Sequence, residues 1–301
     1  MIGVPFDGLI ACSSAQSTGL HLAKRLNVPL LPAHVKPHPD GELAIRITPD
    51  VKGKRIVLVG SFYRPVHNNI FEFALIADAL ARADVKEIIG VIPYMAYARQ
   101  DRVDQPGKPL SMAVIARMLR QNLISHILTV ELHNPESVKL FDVPFDNING
   151  SSVVSEYLRE TLLPAAHRPI LLSPDKGRAN WVAKIGEDLQ VKFAHMVKNR
   201  LSDRDVEMVC DTDLTDHDVF LLDDMIATGG SMAKAVQIAR EQGAASVHCV
   251  AVHGVFAENA ETRLITAGAE SIAVSTSIPS GFAVIDLIPT LVEELLATVG
   301  E

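Results

Sequence analysis

The chain has 301 residues, 48% of them hydrophobic and 21% charged, with a formal net charge of −8. That length suits two domains, each able to bury its own core, and the acidic balance excludes a general nucleic-acid binder, which presents a broad basic face. Cys12, Cys210 and Cys249 are scattered without metal-ligand spacing, and no apolar run reaches membrane-spanning length, so the sequence reads as a cytoplasmic protein with buried, reduced thiols.

Apolar runs and helical spacing alternate along the chain. Ile56–Gly60 reads as a buried strand, Asn69–Ala83 as a helix, Ile88–Pro93 as a strand, Met112–Arg120 as a helix and Ile127–Leu132 as a third strand. The second half repeats the order, with strands at Val219–Leu222, Val247–Val252 and Ile272–Ser275 and a helix at Met232–Gln242. This alternation predicts an α/β fold of mostly parallel sheets flanked by helices. Val57–Gly60 aligns with Phe220–Asp223, and Glu87–Pro93 with Ser246–His253. Two similar domains follow, 1–148 and 149–301, with their boundary near Asn147–Ser152.

The richest chemistry lies at 220–231, where the predicted strand ends in Asp223 and Asp224, crosses Thr228, Gly229, Gly230 and Ser231, and enters a helix. Glycines permit close backbone approach and N–H groups at a helix start face an anion, while the paired acids accept from sugar hydroxyls or bind a metal ion. The order favours a ribose-phosphate loop over an ordinary connection. Upstream, Pro39-Asp40-Gly41-Glu42 reads equally as a hairpin turn or a ligand loop. Residues 92–102, Ile-Pro-Tyr-Met-Ala-Tyr-Ala-Arg-Gln-Asp-Arg, form a polar, aromatic strand exit of the kind that contacts nucleotides in open α/β sheets. Strands also deliver Glu131 and His133 to one exit and Asp175 beside Lys176 and Arg178 to another, and Lys198, Arg200 and Arg204 form a cationic cluster.

In this order, the segments resemble those of the ribose-phosphate diphosphokinase (phosphoribosyl pyrophosphate synthetase) family. The matches are Asp-Gly-Glu at 40–42, Ile-Pro-Tyr…Tyr-Ala-Arg-Gln-Asp-Arg at 92–102, Leu-His at 132–133, Phe-Asp-Val-Pro-Phe-Asp-Asn-Ile at 141–148, Ser-Pro-Asp-Lys-Gly at 173–177, Lys-Asn-Arg at 198–200 and the 223–231 loop. The resemblance implies two phosphoribosyltransferase-like domains and transfer of a diphosphoryl group from ATP to ribose 5-phosphate. It implies ATP contacts from Asp40, Glu42, Arg99, Gln100 and Asp101, and ribose 5-phosphate contacts from Asp223, Asp224, Thr228, Gly229, Gly230 and Ser231. By the same likeness His133 and Asp175 help place Mg²⁺, while Lys198 and Arg200, with His133, serve catalysis. A homo-oligomer, dimer or higher, is implied as well.

The pattern also departs from the family. Ala227 stands where many members carry an acid, His38 where phenylalanine is common, and Glu131 where aspartate is usual. Residues 103–109 are less basic than the corresponding loop of the phosphate-activated, ADP-inhibited class. The likeness is therefore to simpler archaeal-type or divergent bacterial branches. Two other functions remain open on the sequence: a non-catalytic homologue that regulates a partner, and a phosphoribosyltransferase. The ATP-side motifs argue against the transferase, and the retained cationic loop argues against the regulator.

Overall fold

A computed structural model describes residues 5–121, 124–200 and 206–298; the side chains of residues 121, 198–200 and 206–207 lie outside that description. The chain forms two compact units, Met1–Ile148 with Leu287–Glu301, and Asn149–Asp286.

In the first unit the strands are β1 (Gly8–Ala11), β2 (Ala33–Pro37), β3 (Leu43–Ile47), β4 (Arg55–Val59), β5 (Glu87–Ile92), β6 (Ile124–Val130) and β7 (Phe145–Ile148). The helices between them are α1 (Gln16–Leu26), α2 (Val66–Arg82) and α3 (Ser111–Gln121). Five strands make a parallel sheet in the order β1-β4-β5-β6-β7. Strands β4 and β5 are buried almost throughout, as parallel strands covered on both faces must be. Strands β2 and β3 form a separate antiparallel hairpin.

The second unit contains α4 (Gly150–Tyr157), β8 (Pro169–Ser173), α5 (Ala179–Leu189), β9 (Lys192–His195), β10 (Val197–Arg200), β11 (Val206–Val209), β12 (Asp218–Ile226), α6 (Gly230–Glu241), β13 (Ser246–Gly254), α7 (Ala260–Thr266), β14 (Ser271–Ser275) and β15 (Ala283–Ile285). Its six-stranded sheet runs β15-β14-β13-β12-β8-β9, every neighbour parallel. A two-stranded antiparallel sheet, β10-β11, stands apart from it. The core beneath β12 and β13 is closed by α6 and α7, with Val219, Leu221, Val236, Cys249 and Leu264 fully buried.

Three sequence expectations change. The last helix, α8 (Ile288–Ala297), packs on α1 and joins the first unit, although a simple split at 149 puts it in the second. Its apolar stripe of Ile288, Leu291 and Leu295 is buried there, and a terminal helix belongs wherever that stripe is covered rather than where its chain position suggests. Strand β6 stops at Val130, because Glu131 adopts a left-handed conformation (φ 40°) that breaks the ladder, whereas the apolar pattern continues to Leu132. Strand β12 does not end at the acid pair. It continues to Ile226, pairing Asp223 with Ala251 and Ile226 with Gly254 of β13. All three cysteines are buried and free, and burial pushes the Cys249 thiol up to about 12, which keeps it inert as a nucleophile.

Candidate active site

In the second unit the candidate residues gather at the carboxyl ends of the adjacent parallel strands β8 and β12, where open α/β sheets bind ligands. Strand β12 runs through the acid pair, and Asp223 and Asp224 have different partners beyond one another. They therefore do different things. Asp224 is 3% exposed and accepts a bond from the guanidinium of Arg178, itself 14% exposed, at the start of α5. Asp223 is partly buried and accepts from the Asp224 backbone N–H at 2.9 Å. Burial first, then the Asp224 and Asp175 charges, push the Asp223 carboxyl well above the usual carboxylate range. Asp175 caps the short helical turn after β8, its Oδ1 accepting from the Gly177 N–H at 2.9 Å.

The turn from Thr228 to Ser231 leads directly into α6, which begins at Gly230, two residues earlier than the apolar spacing indicates. Thr228, Gly230 and Ser231 are exposed and Gly229 is buried. Gly229 caps the helix at φ 72°, and a Cβ there would lie 3.1 Å from Ala260 Cβ, so both the backbone angle and the space call for glycine. Lys198 and Arg200 lie on β10, paired with Met208 and Val206 of β11, and their side chains fall outside the described residues.

In the first unit, β5 and β6 are neighbours and their exits bring two motifs together. Asn134, following His133, donates its side-chain amide to Asp101 Oδ2, and the Ser137 hydroxyl reaches the same oxygen at 3.4 Å. The Asn134 bond holds the Asp101 carboxyl below its ordinary range. Tyr97, left-handed at φ 65°, meets His67 through its hydroxyl at 2.7 Å, and Gln100 accepts from the Ser111 hydroxyl at 2.6 Å at the start of α3. These ties hold the loop carrying Arg99, which is exposed, between α2 and α3. His133 is partly buried at the same edge. Asp40 and Glu42 are exposed at the tip of the β2–β3 hairpin, where Gly41 takes φ 93° and Asp40 Oδ1 accepts from the Glu42 N–H at 3.1 Å. The turn reading of that segment is thus realised, and it presents both acids to solvent.

Two arginines gained no role from the sequence. Arg178 is three residues from Asp175 but pairs with Asp224, 46 positions away, and Arg263 of α7 donates to the carbonyl of Thr228. Strand–turn–helix pattern carries no signal for either contact, since both depend on which elements become neighbours.

Comparison with known proteins agrees with this arrangement over nearly the whole chain. The family model for the N-terminal domain of ribose phosphate pyrophosphokinase matches residues 8–122, and that for the phosphoribosyl transferase domain matches residues 147–279. A ribose-phosphate pyrophosphokinase of Methanopyrus kandleri is 33% identical over 286 residues, covering 95% of this chain and 97% of the relative. One from Pyrococcus furiosus is 35% identical over 268 residues, 89% of this chain and 93% of that one. The crystal structure of phosphoribosylpyrophosphate synthetase from Mycobacterium smegmatis superposes with a TM-score of 0.88 at 28% identity, covering 97% and 98% of the two chains. With both domain models matched in order and relatives covered almost end to end, this chain belongs to the ribose-phosphate pyrophosphokinase family.

Proposed function

We propose that the protein transfers the β,γ-diphosphoryl group of ATP to the anomeric hydroxyl of ribose 5-phosphate, giving phosphoribosyl pyrophosphate and AMP. The observation that carries this reading is the near end-to-end match to proteins named as ribose-phosphate pyrophosphokinases, which spans both units. The anomeric oxygen bonds to the β-phosphorus as the bridge to the α-phosphorus breaks; AMP leaves with the bridging oxygen, and the hydroxyl proton passes to solvent. Positioning and electrostatic stabilisation dominate such transfers.

Ribose 5-phosphate is assigned to the second unit. The exposed Thr228–Ser231 turn offers N–H groups and hydroxyls to the 5-phosphate, and Asp223 accepts from ribose hydroxyls. Asp224 is assigned to the same binding set, its carboxylate paired with Arg178. Ala227 supplies no carboxylate, so the ribose is held by these groups without it. ATP is assigned to the first unit, with Arg99 for phosphate oxygens, Gln100 and Asp101 behind it, and Asp40 and Glu42 on the hairpin tip. Lys198 and Arg200 are assigned to the charge that builds on the transferring group, and closure over the site excludes water from the activated donor.

Among the described residues no group of three or more His, Cys, Asp or Glu side chains is placed to hold a metal ion. That fits Mg²⁺, which takes few protein ligands and keeps waters and substrate phosphates. Asp175 and Asp223 also repel each other, a crowding that a cation relieves. Asp175 offers a carboxylate oxygen and His133 an imidazole for its placement. When bound, Mg²⁺ neutralises charge on the phosphate oxygens. A homo-oligomer of two or more chains completes the proposal, with light scattering as its measure.

The test is to incubate the purified protein with ATP, Mg²⁺ and ribose 5-phosphate and follow products by mass. AMP and phosphoribosyl pyrophosphate appearing only with the sugar support the proposal. No product with any nucleotide or metal points to a non-catalytic homologue, and base-dependent consumption of phosphoribosyl pyrophosphate to a transferase.

A further inference from the structure

The 223–231 loop is backed by the segment that follows β13. Val255 and Phe256 both donate their N–H groups to the carbonyl of Ile226, at 3.0 and 3.1 Å, and Ala257 donates to the carbonyl of Ala227 at 2.9 Å. The next carbonyl, that of Thr228, takes the Arg263 guanidinium. Three consecutive carbonyls are thus drawn to one side. The backing segment holds an uncommon backbone to do this, with Phe256, Glu258 and Asn259 all left-handed at φ 46°, 57° and 57°. Non-glycine residues adopt that region rarely, and runs of them persist where the surroundings over-determine them. Phe256 is fixed by an edge-on contact to Phe282 with ring centroids 5.6 Å apart, and Ala260 seats Gly229.

A planar trans peptide points its N–H opposite to its C=O. Drawing back the carbonyls of Ile226, Ala227 and Thr228 therefore aims the N–H groups of Ala227, Thr228 and Gly229 the other way, toward the side open for an anion. Arg263 controls the last of these peptides through its side chain, whereas the carbonyls of Ile226 and Ala227 take backbone N–H groups. We infer that Arg263 is a positioning residue for the 5-phosphate of ribose 5-phosphate: it holds the Thr228–Gly229 peptide so that the Gly229 N–H faces the phosphate. The guanidinium also withdraws negative charge from the carbonyl that would otherwise oppose the anion. This rests on the assignment of ribose 5-phosphate to that loop.

The experiment compares wild type, Arg263→Met and Arg263→Lys by calorimetric titration with ribose 5-phosphate and by steady-state kinetics. With Arg263→Met, the dissociation constant and KM for ribose 5-phosphate rise by about tenfold, while kcat at saturation and KM for ATP stay within about twofold. Arg263→Lys, which keeps one charged donor, restores most of the affinity, and it carries the comparison if the methionine variant does not fold. Unchanged ribose 5-phosphate affinity in Arg263→Met, or equal losses toward both substrates, overturns the inference alone. Wild-type protein that turns over but shows no ribose 5-phosphate binding at this loop, judged by an unaffected Ser231→Asp variant, overturns the loop assignment beneath it.

Discussion

Replacing Arg178 by methionine takes the guanidinium from Asp224, a carboxylate only 3% exposed. Breaking a buried ion pair from one side costs about 3–5 kcal/mol, because the remaining charge stays desolvated. Here the cost has a ceiling, since Asp224 can bind a proton instead of staying charged. Protonating a carboxyl of ordinary pKa, about 3.9, costs about 4 kcal/mol at pH 7 and about 1.5 kcal/mol at pH 5. The variant should therefore lose about 3–4 kcal/mol of stability at pH 7 and no more than about 1.5 kcal/mol at pH 5. The sign follows from linkage: the variant's native state keeps a proton that its unfolded state releases, so its deficit grows as pH rises above the ordinary carboxylate range. Trp181, the single tryptophan, lies in α5 close to Arg178 and reports on the second unit by its fluorescence. Urea denaturation followed by that fluorescence, at both pH values, measures the deficit. A loss under about 1 kcal/mol at pH 7, or an equal loss at both pH values, refutes the argument that this pair neutralises a buried acid.

Asp223→Asn should raise the urea midpoint of the ligand-free protein at pH 7 and leave it nearly unchanged near pH 4. The raised Asp223 pKa makes wild-type stability decline as pH climbs above the ordinary carboxylate range, and the amide keeps the acceptor for the Asp224 N–H. A variant less stable than wild type at pH 7 contradicts this. Gly229→Ala should cost about 1–2 kcal/mol and weaken ribose 5-phosphate binding selectively, given φ 72° and the 3.1 Å approach to Ala260; calorimetry showing an unaffected site removes Gly229 from the phosphate loop. Asn134→Ala removes the bond that lowers the Asp101 carboxyl, so the acid limb of ATP affinity should move to higher pH; a limb that stays in place detaches Asp101 from ATP. Lys198→Ala should lower kcat by about a hundred- to a thousandfold with little change in KM, and near-wild-type turnover takes Lys198 out of the mechanism.

The elements that sequence reading located well are those with strong period. The helix expected over Asn69–Ala83 is α2, Val66–Arg82, and the strand expected over Val247–Val252 lies inside β13. Short strands such as β7, β9 and β15, of three or four residues, offer too few alternations to be read. The candidate site divides in the same way. Asp175, Asp223 and the Thr228–Ser231 turn are legible because strand, turn and helix are consecutive in the chain, and the chemistry of the turn is local.

Sequence alone therefore determined the α/β alternation, the family likeness and the residue types at each strand exit, since these rest on neighbours within one or two turns. The tertiary structure decided what those residues face. Strand β12 extends through the acid pair by pairing with β13, Arg178 neutralises one acid while the other resists ionisation, and Arg263 reaches back to Thr228. Each of these depends on contacts between segments distant in the chain, with β12 meeting β13 and Arg178 and Arg263 reaching residues 46 and 35 positions away. Such contacts are set by sheet order and helix packing, and no periodicity within a single segment encodes them.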